Sequence, residues 1–159
     1  ISKKPVAISH ANPNFFHKSL RNIDSDILKQ LVKKDGFIGL SLYPYHLKNL
    51  GKCTVEEFCL MINELINLIG EDNIGIGSDL CLNWSDDVVM WMRNGKWTKK
   101  ADYGESKDRN PKWPELPSWF KQPSDIKELF ISMCKNNIPE KVAVKIIGEN
   151  WLNFMKKQF

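Results

Sequence analysis

The sequence predicts an α/β fold with parallel strands, on three observations. Short apolar runs alternate with segments of helical periodicity, the runs lack the in-out alternation of a half-solvated sheet, and the connections are short. The runs are Pro5-Val6-Ala7-Ile8-Ser9, Gly36-Phe37-Ile38-Gly39-Leu40-Ser41-Leu42 and Asn73-Ile74-Gly75-Ile76-Gly77-Ser78. Continuous Val, Ile, Leu and Gly favour a sheet covered on both faces. Strand–helix–strand order with short links implies parallel strands and right-handed crossovers. Each run leads into a polar residue: His10, Tyr43 and Asp79. Strands pointing one way would gather the three on one rim, where parallel α/β folds place their active sites.

After His10 comes a polar loop, Ala11-Asn12-Pro13-Asn14. Asp24 is placed to cap a helix running to about Lys34, with Ile27, Leu28, Leu31 and Val32 on one face. Gly36 ends it and the second strand follows. Thr54 with Glu57 three residues on is a capping-box pattern. It opens a helix whose stripe is Phe58, Met61, Ile62, Leu65, Ile66 and Ile69. Gly70 stops it, and Asn73 begins the third strand. The stretch from Leu80 to about Pro123 holds Trp84, Trp91, Trp97, Trp113 and Trp119 and little periodicity outside Asp86–Arg93. It reads as a long excursion whose aromatic content argues for packing rather than disorder. Two helices close the chain, from about Ser124 to Asn136 and from Pro139, at helix position N1, to about Lys157, with Gly148 a mild local cost. The organisation is therefore one segment: 1–79 as three βα units, 80–123 as an aromatic-rich insertion, 124–159 as C-terminal helices.

At 159 residues the chain fits one domain with a real core. A 42% apolar and 26% charged composition is that of a soluble globular protein. The net charge of +4 is modest and the lysines are scattered, which argues against nucleic-acid binding. No apolar run approaches the ~20 residues of a membrane span, and no signal-peptide pattern is read at the start. Cys53, Cys59, Cys81 and Cys134 have no metal-knuckle spacing and sit in or beside apolar segments, as reduced packing cysteines of a cytoplasmic protein would. The chain begins Ile1-Ser2-Lys3-Lys4 without an initiator Met and enters a strand-like run at once, which predicts a fragment.

Five residues at the rim could carry chemistry. His10 is either a structural histidine or a metal ligand, since neutral imidazole on a rigid strand end is a common zinc donor. Asp79 follows a Gly-Ile-Gly stretch that allows close backbone approach. It is either a turn aspartate or a carboxylate that ligates, or exchanges a proton with, a metal-bound water. Arg21 is either a solvated surface arginine or a bidentate partner for a substrate carboxylate. Tyr43 and His46 are partly buried rim residues or substrate contacts, and His17 reads as surface.

These residues resemble a known family. Pro5-Val6-Ala7-Ile8-Ser9-His10-Ala11-Asn12 followed by Leu20-Arg21-Asn22-Ile23, then Asn73-Ile74-Gly75-Ile76-Gly77-Ser78-Asp79, then Gly148-Glu149-Asn150-Trp151-Leu152 are similar to successive motifs of the membrane (renal-type) dipeptidases. They occur in the family's order across nearly the whole chain, and the aromatic insertion resembles that of a bacterial subgroup. The resemblance implies a (β/α)8 TIM-barrel metallo-dependent hydrolase with two zinc ions at the C-terminal rim, cleaving dipeptides, of which this chain is about strands 6–8 with their helices. It places His10 at a metal-binding histidine, Arg21 at the arginine that grips the substrate carboxylate, Asp79 at the acid that handles the proton of the bridging water, and Tyr43 at the pocket wall. Two departures accompany it. Asp79-Leu80-Cys81-Leu82 lacks the family's second acid and glycine. The family's His-x-Asp pair, bridging glutamate and further histidine have no counterpart, so at most partial zinc binding is expected here.

The expected partners are a dipeptide substrate, the N-terminal remainder of the same barrel and, through open sheet edges, another copy in a homo-oligomer. The isolated chain is expected to be inactive. The alternatives are a non-catalytic assembly unit and a freestanding α/β binding module.

Overall fold

The computed structural model describes residues 2, 4–89 and 112–158. Three parallel strands, β1 (Ala7–Ile8), β2 (Phe37–Leu40) and β3 (Ile74–Ile76), lie in the order β1-β2-β3, with Ala7 opposite Phe37 and Ile38 opposite Ile74. Helix α1 (Ser25–Val32) joins the first pair and α2 (Val55–Ile69) the second. The α/β class expected from the runs is therefore observed. The strands are shorter than the runs because the flanking residues leave the ladder for loop bonds. Pairing nonetheless continues toward the rim, through Ala11 N–H to Gly39 O (2.9 Å) and Gly77 N–H to Leu40 O (2.9 Å).

Only the central strand β2 is buried along its whole length, whereas β1 is half-buried. Its flank leaves Val6 50% and Ile27 52% exposed, so Ile27 does not join Leu28 in the core as its spacing suggests. The core lies between the sheet and α2, where Phe58, Met61, Ile62, Leu65 and Ile69 are buried as the stripe requires. Thr54 and Glu57 form both bonds of the capping box. Asp24 stands at the N-cap of α1 but makes no capping bond, because its carboxylate accepts Asn14 Nδ2 instead (2.7 Å). The stop after α1 is a Schellman-type turn: Asp35 takes the left-handed conformation (φ 54°) and Gly36 N–H reaches Leu31 O (3.0 Å).

The closing segment begins with a 3-10 turn at Pro123–Asp125 and helix α3 (Ile126–Lys135). Helix α4 (Glu140–Val144) follows, with Pro139 one position earlier than expected, at the N-cap. It continues through a π-helical turn, Lys145–Glu149, into α5 (Asn150–Lys156). An uninterrupted 3.6-residue helix was the expectation; the π turn instead re-phases the side chains after it. Asn150 Nδ2 donates to Glu71 O and Ile74 O (2.7 and 2.8 Å), and Trp151 Nε1 donates to Ile76 O (2.8 Å). Alternate carbonyls of a parallel strand face opposite neighbours. Because Asn73 O accepts from Ile38 of β2, Ile74 O and Ile76 O point to the other edge of β3, and the closing helix satisfies both. Lys145 adds ion pairs to Glu71 and Asp72.

Part of the aromatic excursion is packed. Trp119 lies against Phe58 (ring centroids 5.3 Å) and donates to Cys53 O (2.8 Å), while Trp84 is exposed. Trp91 and Trp97 lie outside the described residues, as does the expected periodic segment after residue 89. Cys53 and Cys59 are buried, and burial pushes both thiols up to about 12, so they remain protonated packing groups. Cys81 is exposed, contrary to a packing role, because β3 has ended five residues earlier, at Ile76.

Candidate functional site

The site forms where the three strands end. Ser9 O sits against Gly39 and Gly77, and a Cβ at either position would overlap it. Glycine at both places lets three backbones converge, which brings the residue after β1 close to the residues after β3.

His10 is half-buried at the end of β1. Its Nδ1 lies 2.8 Å from Ser9 Oγ and its Nε2 3.2 Å from Arg21 Nη2. A guanidinium only donates, so Nε2 accepts and Nδ1 carries the proton given to Ser9; the tautomer is thus assigned from the network. Arg21 comes from the loop between β1 and α1. That loop is closed by a parallel bridge of Pro13 with Ile23, with Ile23 N–H donating to Asn12 O (2.9 Å) and Asn14 N–H to Ile23 O (2.8 Å).

Asp79 follows β3 in a left-handed conformation (φ 54°). Burial pushes its carboxyl above the ordinary carboxylate range, against the lowering pull of His10 and Arg21 beside it. The structure therefore brings His10, Arg21 and Asp79 together. Tyr43 belongs to an adjoining cluster, its ring 5.9 Å from Tyr45 and 5.3 Å from His46. Its N–H donates to Ser41 Oγ (3.2 Å), and Ser41 Oγ meets His46 Nδ1 at 2.8 Å. His46 is buried rather than at a partly open rim; burial first, then Arg21, His10 and His17, depress its pKa from 6.5 to about 4. His17 is half-buried rather than on the surface, its carbonyl accepting Asn22 Nδ2 at 2.7 Å.

Sequence reasoning missed the supporting residues Ser9, Asn12, Asn22 and Ser41. The available signal was position: two asparagines stand two residues after the histidine and one after the arginine. A zinc centre takes three or four protein ligands. Among the described residues no group of three or more His, Cys, Asp or Glu could hold a metal ion, and His10 Nε2 already accepts from Arg21. The residues present do not fit a metal centre on their own.

Comparison with known proteins gives these likenesses. The family model for membrane dipeptidase (Peptidase family M19) matches residues 1–84. Dipeptidase aclJ of Aspergillus oryzae is 30% identical over 81 residues, a match covering 50% of this chain and 19% of that protein. Dipeptidase tcpJ of Claviceps purpurea is 32% identical over 80 residues, again 50% of this chain and 19% of the relative. An amidohydrolase from Pseudomonas aeruginosa shares the fold with a TM-score of 0.84 and 27% identity, over 98% of this chain and 46% of the other. A Rhodobacter sphaeroides metallo peptidase, solved with a phosphinate mimic of the dipeptide L-Ala-D-Ala, gives a TM-score of 0.71 at 19% identity, over 99% of this chain and 37% of that one. The chain thus matches about one fifth of the length of these curated relatives and under half of the solved structures.

Proposed function

Since the chain belongs to the membrane dipeptidase family (Peptidase family M19), we propose that it is the C-terminal part of a zinc-dependent dipeptidase, cleaving the peptide bond of dipeptides with a metal-activated water. On this reading residues 1–79 are strands six to eight of a (β/α)8 barrel with their helices, 80–123 an insertion and 124–159 the closing helices. The observation that carries it is the meeting of His10, Arg21 and Asp79 where three parallel strands end. Arg21 presents a planar fork of donors suited to a terminal carboxylate. A carboxyl raised by burial, as Asp79 is, moves toward the pH at which proton exchange is efficient. Tyr43 forms the pocket wall beside them. His10 would contribute a single imidazole, its Nε2 given up by Arg21, and the remaining metal donors would come from outside this chain, in the N-terminal remainder of the barrel. Support for that partner is the recess of about 520 Å³ beside the start of β1, where Pro5, Val6, Ile27 and Leu31 lie among the polar Lys4, Gln30, Lys34 and Asp35.

The test is Asp79→Asn in the full-length enzyme. Asparagine tolerates the left-handed backbone as well as aspartate does, so a fall in kcat of about 10² or more would report lost proton handling rather than misfolding. Turnover near wild type would remove Asp79 from the reaction. It would also favour the second reading, a non-catalytic assembly module, for which the lack of a metal-ligand group among the described residues speaks.

A further inference from the structure

Beneath the rim lies a polar cluster that the four proposed site residues do not explain. Asn12, Asn22, Ser41 and His46 are 0%, 6%, 0% and 3% exposed. Buried polar groups are costly unless bonded, so a cluster of them at one place calls for a cause.

Every polar atom of the two asparagine side chains is used. Asn12 Nδ2 donates to Ser41 O (2.9 Å) and His46 O (3.1 Å), and its Oδ1 accepts from Ser41 N–H (3.1 Å). Asn22 Nδ2 donates to His17 O (2.7 Å) and His46 O (3.0 Å), and its Oδ1 accepts from Asn12 N–H (3.0 Å). The two amides share one acceptor, the carbonyl of His46. Its imidazole is held as well: Ser41 Oγ accepts the Tyr43 N–H and lies 2.8 Å from His46 Nδ1.

We propose that Asn12 and Asn22, joined at the His46 carbonyl, are positioning residues that hold His10 and Arg21 at hydrogen-bond distance from each other. Asn12 lies two residues beyond His10 and Asn22 one beyond Arg21, so the shared carbonyl ties both segments to the chain beyond β2. Besides that tie, the loop carrying Arg21 is held by the bridge of Pro13 with Ile23 and by Ser19 Oγ, which accepts the Arg21 and Asn22 N–H groups. The network acts on the geometry of the pair and touches neither reacting group, and its importance for catalysis rests on the proposed roles of His10 and Arg21.

The pairing has a spectroscopic signature that needs no activity. In the 159-residue chain labelled with 15N-histidine and kept mildly alkaline, His10 is expected as the Nδ1–H tautomer. His10→Gln assigns its signal. Asn22→Ala is expected to move His10 toward the tautomer mixture of free histidine. A wild-type His10 already in that mixture would overturn the proposal. So would a folded Asn22→Ala protein, judged by circular dichroism, whose His10 signal is unchanged. If Asn22→Ala does not fold, Asn22→Ser is read the same way, and the wild-type spectrum alone still decides. Loss of the dipeptidase reading would leave these outcomes intact, and an active enzyme with an unlocked His10 would defeat only the positioning role.

Discussion

His46 shows how one residue can have a fold-dependent chemistry that its sequence position conceals. In the unfolded chain it titrates at its ordinary 6.5, whereas burial lowers the folded value to about 4. Between those values the unfolded state binds more protons, so the folding contribution is complete above pH 6.5 and is lost as pH falls toward 4. The size is about 3 kcal/mol at 1.36 kcal/mol per unit of pKa. Urea titrations of wild type and His46→Gln across that window should show the wild type losing stability more steeply; parallel curves would exclude His46 as the source. Asp79 makes a second case. Its sequence position suggested a turn aspartate or a proton-handling acid; the structure shows a left-handed residue with a half-buried carboxyl beside His10 and Arg21, and the acid role is part of the proposed function. Strain of this kind costs about 1–3 kcal/mol and gathers at functional sites.

The elements differ in how plainly they are written. Helix α2 is legible to the residue, because the capping box and the apolar stripe are local patterns that tertiary contacts reinforce. Asp24 failed as a cap because Asn14, brought near by the loop, competes for its carboxylate. The π turn after α4 leaves no mark in the apolar pattern; the bonds of Asn150 and Trp151 to β3 accompany it. Two glycines separate packing from conformation. At Gly77 an added Cβ overlaps Ser9 O, while at Gly148 it meets open space. Gly77→Ala should therefore destabilise by about 1–3 kcal/mol, and Gly148→Ala should be neutral or gain up to about 1 kcal/mol. Chemical denaturation of the two variants checks the ranking, and a Gly77 cost no larger than that at Gly148 would refute the close-approach argument.

At the scale of the molecule, the sheet has two unlike edges. The outward carbonyls of β3 at Ile74 and Ile76 are taken by the closing helix, whereas no described strand pairs with the outer edge of β1, beside which Val6 and Ile27 are exposed. On the proposed reading, the N-terminal remainder of the barrel would dock on the β1 side. No helix among the described residues is long and apolar enough to cross a membrane. With a single imidazole at the rim and no metal-ligand group among the described residues, the isolated chain should hydrolyse no dipeptide when zinc is added. Turnover by the isolated chain that disappears in His10→Ala would show that it builds a working site by itself.

The sequence by itself determined the α/β class, the parallel order, the long second helix and the family, because each rests on local periodicity or on contiguous motifs. It also put His10, Tyr43 and Asp79 at strand ends. Only the tertiary structure decided how they group: His10 with Arg21 and Asp79, and Tyr43 with Tyr45 and His46. The physical reason is that grouping depends on the close approach of Ser9 to Gly39 and Gly77 and on buried hydrogen bonds of the Asn12 and Asn22 side-chain amides, which reach the Ser41 and His46 carbonyls beyond β2. Those contacts join residues far apart in the chain, and no local pattern of residue types encodes them.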